Sequence, residues 1–269
     1  MVFDLFKSRR RARLRARPVP PAWRAILERN LPIFARLSAQ DQAELLGHTQ
    51  VFLAEKHFEA VGGLELTDEI RVTIAGQACL LLLHRDTDYY PELISIVVYP
   101  SGYTATEERH IGGGIWEEGD EARLGHTGRR LGALVLAWDA VRRGAAAPDD
   151  GENLVLHEFA HQLDFENQSS DGTPALETRG DYLAWARVMS AEFNALRNAS
   201  NAGETTLIDT YGTTNPAEFF AVITESFFEQ PRALKRKHPA LYAQLQRFYR
   251  QDPTTYSAEP LTADLSGHP

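Results

Sequence analysis

Residues 153–165 read Asn153-Leu154-Val155-Leu156-His157-Glu158-Phe159-Ala160-His161-Gln162-Leu163-Asp164-Phe165. The spacing predicts a helix, and six apolar residues around its circumference predict a buried one. Within it stands His157-Glu158-x-x-His161, the HExxH pattern. Residues four apart on a helix lie one turn above each other, so both imidazoles project toward one point. Two neutral imidazoles so placed can chelate a single Zn²⁺, and Glu158 then stands where it can take a proton from a water on the ion. Burying these groups with no partner would be costly, which weighs against a purely structural pair of histidines.

A catalytic zinc site uses three protein ligands and keeps a fourth position open. The short extended motif is absent, because positions 164 and 167 are Asp and Asn. The third ligand must come from further along. The segment from Asn215 to Phe228 reads as an apolar helix opened by Pro216, and it carries Glu218 and Glu225 seven residues apart on one face. The residues alone rank these two acids nearly equal. Glu218, near the helix start, could serve the helix dipole instead, and Glu229 stands four residues after Glu225.

Outward from these segments, the chain alternates helical and strand patterns. Helices are expected from Trp23, after Ser38, after Thr67, at Asp181–Asn198 and at Ala233–Tyr249; Ser and Thr are good caps, and Asp68 and Glu69 suit a first turn. The Ser38 run is expected to continue near Val51–His57. Leu93–Tyr99 and Leu134–Trp138 are β-branched or apolar, short and bounded, and read as strands. The glycines between them (112–114, 119, 125 and 128) lack the context of a phosphate loop and read as turns and hairpins. The fold class expected is α+β, mostly helical, with a small mixed β-sheet and an N-terminal helical part.

The 269 residues suffice for one large or two small domains, and 43% hydrophobic residues supply a core. No run of 18 apolar residues exists, so no membrane span is expected. The lone Cys79 fits a reducing, cytoplasmic setting and reads as core packing. The net charge of −9 argues against direct nucleic-acid binding. Residues 1–20 carry seven basic side chains and one acid, which leaves −15 on the remainder. Pro18, Pro20 and Pro21 follow instead of an apolar stretch, so this basic segment is expected to be a flexible arm rather than a secretion signal. The other seven histidines, His48 and His84 among them, show no ligand spacing.

The blocks His157-Glu158-Phe159-Ala160-His161-Gln162-Leu163-Asp164 and Tyr211-Gly212-x-x-Asn215-x-Ala217-Glu218-Phe219-Phe220-Ala221 resemble the Mlc titration factor A family of bacterial zinc metallopeptidases. They are also similar to the catalytic domain of anthrax lethal factor. The resemblance implies a zincin-like domain over 89–252, with the helical part 21–88 packed on it and a flexible tail at 253–269. It implies His157, His161 and Glu218 as zinc ligands, Glu158 as general base, and Tyr211 as hydrogen-bond donor to a developing oxyanion. It implies a peptide or protein substrate and association with the glucose-responsive repressor Mlc. The alternative function is then a binding protein that sequesters that repressor without cleavage. Many zincins place a second acid four residues after the glutamate ligand; position 222 here is Val, so Asp164 or Glu225 could orient a histidine instead. Trp138, at a strand end, is expected near the site, where an edge strand could pair with substrate backbone. Endo- and aminopeptidase action both stay open.

Overall fold

The computed structural model describes residues 2–101, 110–111, 115–116, 132–147 and 149–256. Most of the glycines between the two expected strands lie outside the described residues, as does the tail beyond 256.

The basic N-terminal segment, expected as a flexible arm, forms helix α1 (Val2–Arg15). It docks on α4 (Ala39–Glu55) because Arg11 turns inward between two acids. The Arg11 guanidinium sits 2.8 Å from Glu55 and 2.5 Å from Asp88, and its carbon lies 4.7 Å above the Tyr89 ring. A planar fork that meets two carboxylates and an aromatic face is the geometry that makes arginine burial tolerable. Between α1 and α4 run α2 (Pro21–Asn30) and α3 (Pro32–Arg36), each opened by proline. Ser38 caps α4 by accepting from the Asp41 N–H at 3.1 Å. Thr67 caps α5 (Asp68–Leu80) in the same way. Helix α5 is buried almost all round, and Cys79 is fully enclosed in it; burial pushes its thiol pKa up and leaves it inert.

Three parallel strands form the sheet, in the order β1 (His57–Ala60), β2 (Ser95–Tyr99), then Ala133–Ala137. His57 pairs with Ser95, and Ser95 with Ala133. Parallel neighbours need a crossover, and α5 supplies it between β1 and β2. On one face Ile96, Val98, Leu134 and Leu136 enter the core. A separate antiparallel pair joins β3 (His110–Ile111) to β4 (Ile115–Trp116), so the third sheet strand is β5. Trp138, expected at that strand's end, instead starts α6 (Trp138–Ala146).

The remainder is helical: α7 (Leu154–Asp164), α8 (Arg179–Asn201), α9 (Pro216–Glu229), α10 (Pro231–Lys237) and α11 (Pro239–Tyr249). The single helix expected over Ala233–Tyr249 is broken at Pro239, whose ring excludes helical geometry at His238 (φ −130, ψ 59). Helix α8 opens with a capping box between Thr178 and Asp181. Helices α7 and α9 pack side by side. Behind them Trp185, Phe220 and Phe248 form a ring triangle with centroids 5.6–5.8 Å apart. Each such edge-to-face pair adds about 0.5–1.5 kcal/mol beyond burial, which fixes α8, α9 and α11 relative to one another.

Candidate metal centre

Two capped helix starts set the geometry. Asn153 caps α7 by accepting from the Leu156 N–H at 3.0 Å, and Asn215 caps α9 by accepting from the Glu218 N–H at 2.9 Å. The first cap places His157 and His161 in successive turns, with ring centroids 4.9 Å apart. The second puts Glu218 in the first turn of α9, facing them.

The three side chains converge through one atom each. His157 Nε2 and His161 Nε2 are 3.2 Å apart, and Glu218 Oε2 lies 3.0 Å from the first and 3.3 Å from the second. Ligands at 2.0–2.2 Å from a tetrahedral ion are separated by about 3.3–3.6 Å, so this triangle needs only tenths of an ångström to accept one. The residues present therefore fit a small divalent metal. All three are largely buried, with side chains 11%, 4% and 16% exposed. Burial opposes charge on His157, but Glu225 and Glu218 on either side outweigh it and hold the imidazole pKa well above its ordinary value. Burial likewise works against the Glu218 carboxylate, and hydrogen bonds from both imidazoles overcome it and pull its pKa down. A divalent ion would satisfy the same imbalance.

Glu225, the rival acid of the sequence reading, stands on the other side of His157. Its Oε1 is 2.8 Å from Nδ1, and its second oxygen accepts the N–H of Asn153. It is therefore not one of the three converging atoms. Glu229 is further still, accepting from the Gly151 N–H at 3.0 Å, and burial pushes its pKa up to about 9. Asp164 Oδ2 accepts from the Gly172 N–H at 2.9 Å, and burial raises its pKa to about 6.

A family model described as glucose-regulated metallo-peptidase M90 matches residues 5–250. The chain belongs to this family. An uncharacterized protein of Synechocystis sp., slr2042, is 40% identical over 244 residues, covering 91% of this chain and 89% of its own. Mlc titration factor A of Salmonella arizonae is 32% identical over 235 residues, covering 83% of this chain and 89% of its own. Its counterpart in Salmonella paratyphi B is 32% identical over the same length. The family resemblance drawn from the two motif blocks thus holds across the chain. No helix among the described residues is long and apolar enough to cross a membrane.

Within this M90 metallopeptidase, Glu158 is half-buried on α7, next to the first imidazole, and its carboxylate makes no hydrogen bond or ion pair among the described residues. Tyr211 sits in a 3₁₀ turn (Thr210–Thr213) ahead of α9, with its ring centroid 6.2 Å from that of His157. Asp209 holds that turn by accepting from the Tyr211 N–H at 2.8 Å.

Two features have no sequence signal. Gly172 (φ +74) lies so close to α9 that an added Cβ would come within 2.2 Å of the Pro216 carbonyl oxygen, pinning the helix that carries Glu218. A second group able to hold a metal joins Asp41, Glu44 and His84; the first two share α4, but His84 lies 40 residues beyond Glu44.

Proposed function

We propose that this M90 metallopeptidase is a zincin-like, zinc-dependent peptidase acting in the cytoplasm, with His157, His161 and Glu218 holding the ion. The triangle of two Nε2 atoms and one carboxylate oxygen, 3.0–3.3 Å on a side, carries the reading. A zinc ion held by His157, His161 and Glu218 would supply Lewis acidity toward a carbonyl oxygen and lower the pKa of a water to about 7. The Glu158 carboxylate takes the proton of the attacking water as its oxygen adds to the peptide carbonyl carbon, then delivers that proton to the departing amine as the C–N bond breaks. The Tyr211 hydroxyl donates to the carbonyl oxygen as negative charge develops on it. Glu225 accepts the Nδ1–H of His157 and so keeps the Nε2 lone pair turned toward the ion.

The test is metal content measured beside peptide hydrolysis. Glu158→Gln is expected to retain stoichiometric zinc while turnover falls by about 10²–10⁴-fold. Full turnover in that variant would remove Glu158 as the base.

The Salmonella relatives carry the name Mlc titration factor A, and this supports a second, compatible proposal: the protein binds a repressor of the Mlc kind. The charge of −9 suits a basic, DNA-binding partner. Relief of repression by Glu158→Gln at the wild-type level would make that output sequestration; its loss would make it cleavage.

A further inference from the structure

A cavity of about 590 Å³ opens between the end of α11, the start of α8 and the segments around residues 85–86 and 175–177. Its volume falls in the range of small-molecule sites. Three arginines and three acids share its lining (Arg85, Arg247, Arg250; Asp86, Glu177, Asp181), so its formal charge is zero. The arginines are not equivalent. Arg247 is 2.6 Å from Asp181, and Arg250 is paired with Glu177. Arg85 forms neither kind of contact: its guanidinium carbon lies over the Phe248 ring, 4.2 Å from the centroid, and it has no hydrogen-bond or salt-bridge partner among the described residues, although the buried Glu166 outside the lining is close enough to feel its charge. Its Nη1 is withdrawn from solvent and unsatisfied. Nη1 is thus out of a ligand's reach, and a planar oxyanion in the cavity would receive its two parallel N–H bonds from Nε and Nη2, which have no partner among the described residues. Beside it Leu176 and Ala175 offer an apolar wall, joined by the 8% of Phe248 that remains exposed; Trp185 borders the cavity but is almost wholly buried.

We propose that this cavity binds a small organic carboxylate, with the carboxylate on Arg85 and an apolar or aromatic body against Leu176, Ala175 and the open edge of Phe248. One uncommitted guanidinium in a lining of zero formal charge suits a monoanion. A dianionic phosphate would meet three carboxylates with only one free cation to offset them. The cavity also touches the framework of the metal centre. The Trp185 indole N–H donates to the Gly172 carbonyl at 3.0 Å, and the Gly172 N–H donates to Asp164, three residues after His161. Binding itself does not depend on the peptidase reading.

Phenylacetate, its neutral isostere phenylacetamide and phenyl phosphate are the probes, each titrated into the full chain by calorimetry and ligand-observed NMR. Saturable phenylacetate binding is expected, with phenylacetamide and phenyl phosphate at least tenfold weaker. Arg85→Gln is expected to weaken phenylacetate at least tenfold while its circular dichroism and metal content match wild type. Arg85→Lys keeps the charge without the fork and is expected to fall between them. Equal affinity for acid and amide, unchanged affinity in Arg85→Gln, tighter binding of phenyl phosphate, or no phenylacetate binding would each overturn the proposal.

Discussion

Glu218 and Glu225, two turns apart on α9, bracket one imidazole: Glu218 Oε2 is 3.0 Å from Nε2 of His157, and Glu225 Oε1 is 2.8 Å from Nδ1. An ionised carboxylate can only accept, so Glu225 fixes a proton on Nδ1, and the proton that His157 must give up to bind an ion is the one on Nε2. A glutamine there could donate as well as accept, and the tautomer would no longer be set. Glu225→Gln is therefore expected to weaken zinc binding by about 10–100-fold, read by competition with a chromogenic chelator. Unchanged affinity would show that the contact does not orient the ring.

His161 lies at the other corner of the triangle, and its Nδ1 is buried with no partner. Its hold on the site therefore runs through Nε2 alone. His161→Ala would leave two of the three proposed ligands, and zinc is expected to fall well below one per chain after dialysis. Stoichiometric zinc in that variant would refute its ligand role.

The sequence made α7 legible because the motif, its cap and its apolar surroundings all lie within a dozen residues. Choosing between Glu218 and Glu225 from the residues alone was a different problem. Helical periodicity puts both on one face, and only the axial position of α9 against α7 separates them. The loop at Gly172 meets α9 at Pro216, 44 residues away, and such a contact leaves no local pattern. The α1 segment failed for a similar reason. Its arginines look like a solvated run until Arg11 meets Glu55 and Asp88, which come from distant parts of the chain. The break at Pro239, in contrast, was written in the residue itself.

Glu44 gives a pH dependence away from the metal centre. It accepts from the buried His48 ring at 3.3 Å and from the His84 N–H at 2.9 Å. The His48 hydrogen bond outweighs burial and holds the Glu44 pKa at about 2. A carboxylate whose folded pKa lies below its unfolded value stabilises the fold above about pH 4.5, and this contribution is lost as pH falls toward 2. Allowing for its partial exposure, about 1–2 kcal/mol is at stake. Glu44→Gln is expected to be that much less stable in urea at pH 7 and to converge with wild type near pH 2. A constant difference across the range would remove ionisation as the cause.

Gly172 tests whether the loop after α7 positions Glu218, the proposed third ligand. Its φ of +74 favours glycine, and a Cβ there would meet the Pro216 carbonyl oxygen at 2.2 Å, far inside contact distance. Gly172→Ala must therefore shift the loop, move the start of α9, or both. A cost of about 2–4 kcal/mol is expected from strain and overpacking together, with zinc affinity falling because Glu218 moves with Pro216. The decisive comparison is with Gly203→Ala, since Gly203 also has positive φ (+69) but has nothing within 4 Å of an added Cβ. If both variants lose stability equally and neither loses zinc, the backbone conformation accounts for the effect and the loop does not place Glu218. If only Gly172→Ala loses zinc, the contact with Pro216 is what holds the triangle closed.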